Sequence, residues 1–302
     1  MTRLIIILLL VIPLSLLGAC RDNSPCPDGT VRVGAPPPEG REVYCLSNTF
    51  TTLGIKHGPY KGWSRKDTVK RTGEYYQNQK NGVWTRYYEN GQKREQEVYV
   101  DDVRSGMWRR WSKNGIKLEE GPYYNGRRHG TWRQWHSNGQ LRSESYWDDG
   151  RAQGNWLSWH DNGQQAETYF QKNGRPQGRT VKWYKNGQKK EEGTQNLGKK
   201  VGTWRKWHQN GEIKELQHWK NGQVYGKWEK YNDDGQRVFL GSYASGRPSG
   251  TWTYWNDSGE LTKEEIYENG LRAKTQNKYA RSIRFSRLRS VTAIEAEAST
   301  TI

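Results

Sequence analysis

Apolar positions along this chain fall into two regimes. Leu4 to Leu17 is one continuous apolar run. From Gly58 onward the large apolar residues are mostly aromatic and hold fixed places in a phrase, Gly-x-Trp-x-x-Trp-x-x-Asn-Gly, that returns every 24 residues. The leading glycines are Gly58, Gly82, Gly106, Gly130, Gly154, Gly178, Gly202, Gly226 and Gly250. With each of these taken as position 0, position 5 is aromatic in all nine units: Trp63, Tyr87, Trp111, Trp135, Trp159, Trp183, Trp207, Tyr231 and Trp255. Position 2 is aromatic in eight: Tyr60, Trp84, Trp108, Trp132, Trp156, Trp204, Trp228 and Trp252. An unbroken period of this kind means one structural unit repeated along the chain.

The polar positions supply the turns. Asn-Gly recurs at Asn90-Gly91, Asn114-Gly115, Asn138-Gly139, Asn162-Gly163, Asn186-Gly187 and Asn210-Gly211, and Asp234-Gly235 and Ser258-Gly259 continue the series. This dipeptide predicts a two-residue type I′ turn, in which both residues need φ > 0. A second set follows at Asn125-Gly126, Asp149-Gly150, Asn173-Gly174, Asn221-Gly222, Ser245-Gly246 and Asn269-Gly270. With a turn about every twelve residues, the fold class is all-β: an elongated antiparallel β-meander of about nine 24-residue β-hairpin repeats.

The hairpins predict their own register. Two-residue turns place position 4 opposite position 13, pairing Arg86 with Glu95, Arg110 with Glu119, Lys182 with Glu191 and Lys206 with Glu215. Opposite charges suit directly facing positions. The leading glycine faces position 17, occupied by Tyr99, Tyr123, Trp147, Trp219, Tyr243 or Tyr267, so a ring is expected to lie over a strand glycine. Positions 2 and 5 differ by an odd number, so either both faces carry an aromatic row or a bulge lies between them. Thr180 breaks the position-2 row, with Gln171 and Gln195 on the flanking return strands. That break reads either as drift or as a bend with a shallow polar groove.

Period, glycines, rings and turns together resemble the MORN repeat, in the bacterial variant found in proteins named as YwqK-type antitoxins. The resemblance covers roughly residues 58–273. It implies a MORN-type repeat fold and, through the family's name alone, an antitoxin or immunity role.

The N-terminal run begins after Arg3 and ends in Leu17-Gly18-Ala19-Cys20, which resembles a bacterial lipobox. Residues 1–19 then form a signal peptide, and Cys20 is the lipidation site. An ordinary signal followed by an unrelated cysteine, or a short anchor, is the alternative reading. Arg21 is not the Asp that suggests inner-membrane retention in enteric bacteria, so the expected location is the outer membrane. Removing Cys20 from the count leaves Cys26 and Cys45, an even number in an oxidising compartment, and predicts a disulfide between them. Residues 20–57 thus form a tether and a stapled cap covering the first edge of the sheet. The array occupies 58–273, and 274–302 is a basic tail that reads as a capping strand, a basic amphipathic helix or disorder.

The net charge is +17, and Trp63 to Trp255 spans all 16 tryptophans. Basic charge with many rings ordinarily points to nucleic acid, but export removes that partner. The remaining anions are envelope components or acidic proteins; alternatively the cations keep a Trp-rich sheet soluble. The side chains that carry chemistry recur with the period. His136, His160 and His208 share position 6, and successive units stand about 9.6 Å apart, too far to share one zinc. No metal, cofactor or enzymatic activity is expected. The expected function is a non-catalytic, lipid-anchored, protein-binding scaffold of the bacterial envelope. Its candidate surface is the position-5 row: Trp111, Trp135, Trp159, Trp183, Trp207 and Trp255. Toxin neutralisation and glycan binding by stacked Trp rings, to peptidoglycan or another envelope component, are the alternatives.

Overall fold

The computed structural model describes residues 26–48 and 54–277. The signal peptide, Cys20 and the tail beyond 277 lie outside the described residues. Among those described, every regular element is a β-strand, and no helix is long and apolar enough to cross a membrane. The chain divides into two compact units, residues 1–115 and 116–302.

Unit 1 holds β1 (Thr30–Ala35), β2 (Glu42–Ser47), β3 (Lys56–Trp63), β4 (Val69–Tyr76), β5 (Gln79–Tyr87), β6 (Lys93–Val100), β7 (Val103–Arg104) and β8 (Gly106–Trp111). From β1 to β6 each pairs antiparallel with its neighbours in the chain, and β6 pairs with both β7 and β8. The stapled hairpin β1–β2 adds two strands beside β3, so it covers that edge by continuing the sheet.

Unit 2 begins with β9 (Lys117–Tyr124), β10 (Arg127–Arg128), β11 (Gly130–Trp135), β12 (Leu141–Asp148) and β13 (Arg151–Trp159). It continues through β14 (Gln165–Lys172), β15 (Arg175–Trp183), β16 (Lys189–Asn196), β17 (Lys199–Trp207) and β18 (Ile213–Lys220). The last strands are β19 (Gln223–Tyr231), β20 (Arg237–Ala244), β21 (Arg247–Trp255), β22 (Leu261–Glu268) and β23 (Leu271–Asn277). Here too consecutive strands pair antiparallel, with β9 pairing with both β10 and β11, so an antiparallel meander of repeated hairpins is what the chain forms.

The expected register is present within the units. Arg86 faces Glu95, Lys182 faces Glu191 and Lys206 faces Glu215. Arg110 belongs to unit 1 and Glu119 to unit 2. The turn chemistry differs from the expectation. At Asn90-Gly91 only the glycine is left-handed (φ 83°). Tyr88 N donates to Gln92 O at 2.8 Å and Gly91 N to Tyr88 O at 3.0 Å. The loop is therefore three residues long and ends on a left-handed glycine, the usual three-residue hairpin. One extra loop residue should shift the register by one. Arg94 is unpaired in the return strand, because Tyr87 faces Lys93 while Arg86 faces Glu95. That bulge restores the register. The second turn set is type I′, with both residues left-handed: Asn125 and Gly126 at 46° and 75°, and even Leu197 and Gly198 at 49° and 82°.

The leading glycines sit in bulges of their own. Thr72 faces Thr85 while Glu74 faces Asn81, so three residues beginning at Gly82 (φ 65°) stand opposite one. Gly130 does face Trp147. Yet the site where a side chain on Gly130 would stand borders Pro122, and on Gly82 it borders Glu74. The glycines that rings cover are at position 15. Trp84 lies on Gly73, Trp132 on Gly121, Trp204 on Gly193 and Trp252 on Gly241. Each of these indoles donates Nε1 to a carbonyl of the strand it covers, at 3.0 to 3.1 Å. In alternate repeats position 15 is larger, and Trp108 and Trp228 donate instead to Glu95 and Glu215.

These position-2 rings are the core. Tyr60, Trp84 and Tyr99 cluster with Tyr44 and Tyr75, and Trp84 meets Tyr75 edge-on at 4.9 Å. Cations close the row from outside: Arg128 lies 3.9 Å from the Trp132 ring centroid and Lys200 3.9 Å from that of Trp204. At the break in the row Thr180 is 2% exposed and faces Tyr169. Tyr169 stacks on Trp156 at 5.8 Å. The missing ring has moved to the adjacent strand, and Thr180 lines no open groove.

Candidate binding surface

Each position-5 ring stands three residues beyond position 2 on the same strand, and in every repeat but the sixth, where position 2 is Thr180, that place holds a ring. Three steps along a strand reverse the face. The contacts follow this: Tyr87 Oη meets Thr72 Oγ1 at 3.4 Å, at position 14, whereas position-2 rings pack among positions 13, 15 and 17. A bulge lies between positions 4 and 5 as well, in the partner strand. Because that bulge is not on the strand carrying positions 2 and 5, the odd spacing resolves to a ring row on each face.

The structure keeps Trp111 in unit 1 and brings Trp135, Trp159, Trp183, Trp207 and Trp255 into unit 2, with Tyr231 in the same series. All are partly exposed, whereas six of the eight position-2 rings are buried and only Trp156 and Trp228 are partly exposed. Within unit 2 successive members are two strands apart, about 9.6 Å. Long cations from position 11 of the preceding repeat reach three of the rings. Lys117 is 5.0 Å from Trp135, Lys189 5.5 Å from Trp207 and Arg237 5.4 Å from Trp255. Leu141 and Gln165 hold that place before Trp159 and Trp183.

The backbone beneath these rings is tied from repeat to repeat. Position 6 reaches across to the position-5 carbonyl of the next unit. Tyr88 donates to Trp111 O, and Tyr184 to Trp207 O, each at 2.8 Å. His136, His160 and His208 place Nε2 at 2.8 to 2.9 Å from the carbonyls of Trp159, Trp183 and Tyr231. A carbonyl only accepts, so each of these Nε2 atoms carries a proton. The turn asparagines add a second tie: Asn138 Nδ2 donates to Asp161 O at 2.7 Å and Asn162 Nδ2 to Lys185 O at 2.8 Å. The position-6 histidines were visible as a repeated place in the sequence. Their role was not, because it needs the next repeat alongside.

Neighbouring charges are mostly committed. Arg179 and Lys189 both hold Glu192. Burial alone would raise the Glu192 carboxyl, but these two hydrogen bonds lower it below its ordinary value. Burial, aided by the hydrogen bond to Glu229, pushes the Tyr231 phenol up. Cys26 and Cys45 are joined, with Cα atoms 5.7 Å apart. No group of three His, Cys, Asp or Glu suited to a metal occurs among the described residues.

The family described as MORN repeat variant matches residues 80–101, 128–149 and 200–221. No curated protein matches the chain. Among solved structures it is similar to the crystal structure of TcdB2-TccC3-Cdc42, at 11% identity and TM-score 0.19 over 80% of this chain and 16% of that one. It is also similar to the Photorhabdus luminescens Tc holotoxin pore carrying the TccC3-D651A mutation, at 12% identity and TM-score 0.19 over 78% of this chain and 14% of that one. The chain thus spans about one sixth of the first structure's chain, and likeness at this level carries no argument. In the three matched segments the chain carries repeats similar to the MORN repeat variant.

Proposed function

We propose that this protein is a non-catalytic binding module of the bacterial cell envelope, held there by a lipid on Cys20, that uses its position-5 face to bind a protein partner. One observation carries the reading: partly exposed rings recur at fixed spacing on a backbone tied between repeats, with cations beside three of them. Trp and Tyr anchors with neighbouring Arg or Lys dominate protein interfaces. A surface already held in place loses little freedom on binding, and equivalent anchors engaged together add avidity. The histidines and carboxylates that chemistry would need are occupied by backbone carbonyls and ion pairs, which supports a binding role over an enzymatic one.

The test is a crosslinking pull-down from the protein's own cells, with wild type and a Trp135→Ala/Trp159→Ala/Trp183→Ala/Trp207→Ala variant. A single protein captured by wild type and lost from the variant supports the reading. If that protein is a toxin, the scaffold becomes an antitoxin. Retention on insoluble peptidoglycan with no protein captured overturns the protein partner. Cys20→Ser should move the protein out of the membrane fraction, and persistence there would refute the lipid anchor.

A further inference from the structure

Unit 1 contains a groove that the ring column does not explain. It encloses about 560 Å³ and is bordered by Ser64, Arg65, Lys70, Tyr87, Tyr88, Arg94 and Lys113. The cause is a departure from the period. Position 6 of the first repeat is Ser64, where the second, fourth, fifth, sixth and seventh repeats carry Tyr or His. Those rings cross to the next unit, but Ser64 turns into its own loop, with Oγ 2.8 Å from Thr68 Oγ1. Position 8 is Lys66 in place of the turn asparagine, so the short amide tie is replaced by an ion pair with Glu89 at 2.8 Å. The first two loops are therefore bridged only at their exposed rim, and the space of a missing ring stays open beneath.

The lining is strongly basic. Arg65, Lys70, Arg94 and Lys113 face one carboxylate, Glu89, which Lys66 already holds. The cations are also spaced by the repeat. Lys70 and Arg94 both occupy position 12, so their backbones stand two strands apart, about 9.6 Å. Roots so far apart suit separate anions along one chain better than a single compact anion. In a polyproline II chain every third residue returns to the same side after about 9.3 Å, close to the repeat. Such chains dock in grooves lined by aromatic rings, and Tyr87 and Tyr88 supply two here.

We propose that this groove is a docking site for an acidic segment of a partner protein in polyproline II conformation, with a carboxylate at every third residue. The site belongs to unit 1 and needs neither the lipid anchor nor the unit 2 rings. The experiment is fluorescence anisotropy on the full chain with labelled synthetic peptides. Four copies of Glu-Pro-Pro are compared with four of Gln-Pro-Pro, and with two of Glu-Glu-Pro-Pro-Pro-Pro, which has equal charge in the wrong spacing. Saturable binding of the first, weakened about tenfold or more in either control, is expected. Ser64→Tyr refills the space without removing charge and should weaken binding to a similar extent. Lys70→Ala/Arg94→Ala should do the same and keeps the test decisive if Ser64→Tyr does not fold. Lys190→Ala/Lys214→Ala, at position 12 in unit 2, should leave binding unchanged. Equal affinity for the two acidic peptides, or equal loss in the unit 2 variant, would reduce the effect to net charge and overturn the proposal. So would capture by anionic phospholipid vesicles, abolished by Ser64→Tyr, with no peptide binding.

Discussion

The indole of Trp132 lies so close to Gly121 that a Cβ built on the glycine would meet Cδ2 at 2.2 Å. The ring is 2% exposed and anchored by its Nε1 bond to Pro122 O, so it has no room to retreat. Gly121→Ala should therefore destabilise unit 2 by about 1–3 kcal/mol, the range for overpacking a filled core. A urea titration followed by Trp fluorescence reads this directly, and an unchanged midpoint would show that the contact is soft.

Much of this was legible in the sequence, and its limits are instructive. The pairing of Arg86 with Glu95 followed from hairpin arithmetic, although the turn at Asn90-Gly91 is a residue longer than assumed. The prediction survived because the bulge at Arg94 cancels the extra loop residue. Turn type was misjudged because Asn-Gly is read as a backbone signal, whereas Asn90 serves through its side chain, donating to Lys113 O at 2.8 Å. The ring row at position 5 could be counted from the period. Its exposure could not, since that depends on which strands the bulges kink. The unit 1 groove had a visible mark, a serine where most repeats carry a ring, but its meaning requires knowing that the ring crosses between loops.

Asn162 tests the tie between repeats. Its Nδ2 donates to Lys185 O at 2.8 Å and its Oδ1 accepts from Gln164 N at 3.1 Å. Asn162→Ala should cost about 1–2 kcal/mol and speed amide exchange at Gln164. Asn162→Asp keeps the acceptor and should protect that amide while still losing the bond to Lys185. Equal exchange in both variants would remove the side chain from this role.

Acid should loosen the last hairpins through Glu265. This carboxylate is 3% exposed and accepts from Tyr254 at 2.8 Å, Arg272 at 3.0 Å, Tyr267 at 3.2 Å and Lys263 at 3.3 Å. Burial alone would raise it, but the bonds from Tyr254, Arg272 and Lys263 hold it down at about 2, against an ordinary 4.5. Its folded value lies below its unfolded one, so its contribution is complete above pH 4.5 and vanishes as the pH falls to about 2. The contribution is on the order of 2–3 kcal/mol. Melting curves across this window should slope downward in wild type and less steeply in Glu265→Gln. Parallel slopes would assign the acid sensitivity elsewhere.

The bond between Cys26 and Cys45 closes a stretch with a sequence separation of 19. Cross-links of this span restrict the unfolded chain by about 3 kcal/mol. Cys26→Ala/Cys45→Ala should raise hydrogen exchange across β1 and β2 and leave β13 to β18 unaffected. Protection that persists in β1 and β2 would mean that pairing with β3 alone secures the hairpin.

The alternation at position 15 limits how such a chain can grow. The series runs Gly73, Glu97, Gly121, Ser145, Tyr169, Gly193, Gln217, Gly241 and Glu265. Glycine and a larger residue take turns except at one slip, from Ser145 to Tyr169, and there the facing position holds Thr180 where eight other repeats have a ring. Copying a single 24-residue segment would set either two glycines or two larger residues in succession and so break the alternation, as the slip beside Thr180 does. Copying 48 residues leaves the phase intact. Gene duplications, and engineered extensions of this scaffold, are therefore expected to succeed in pairs of repeats.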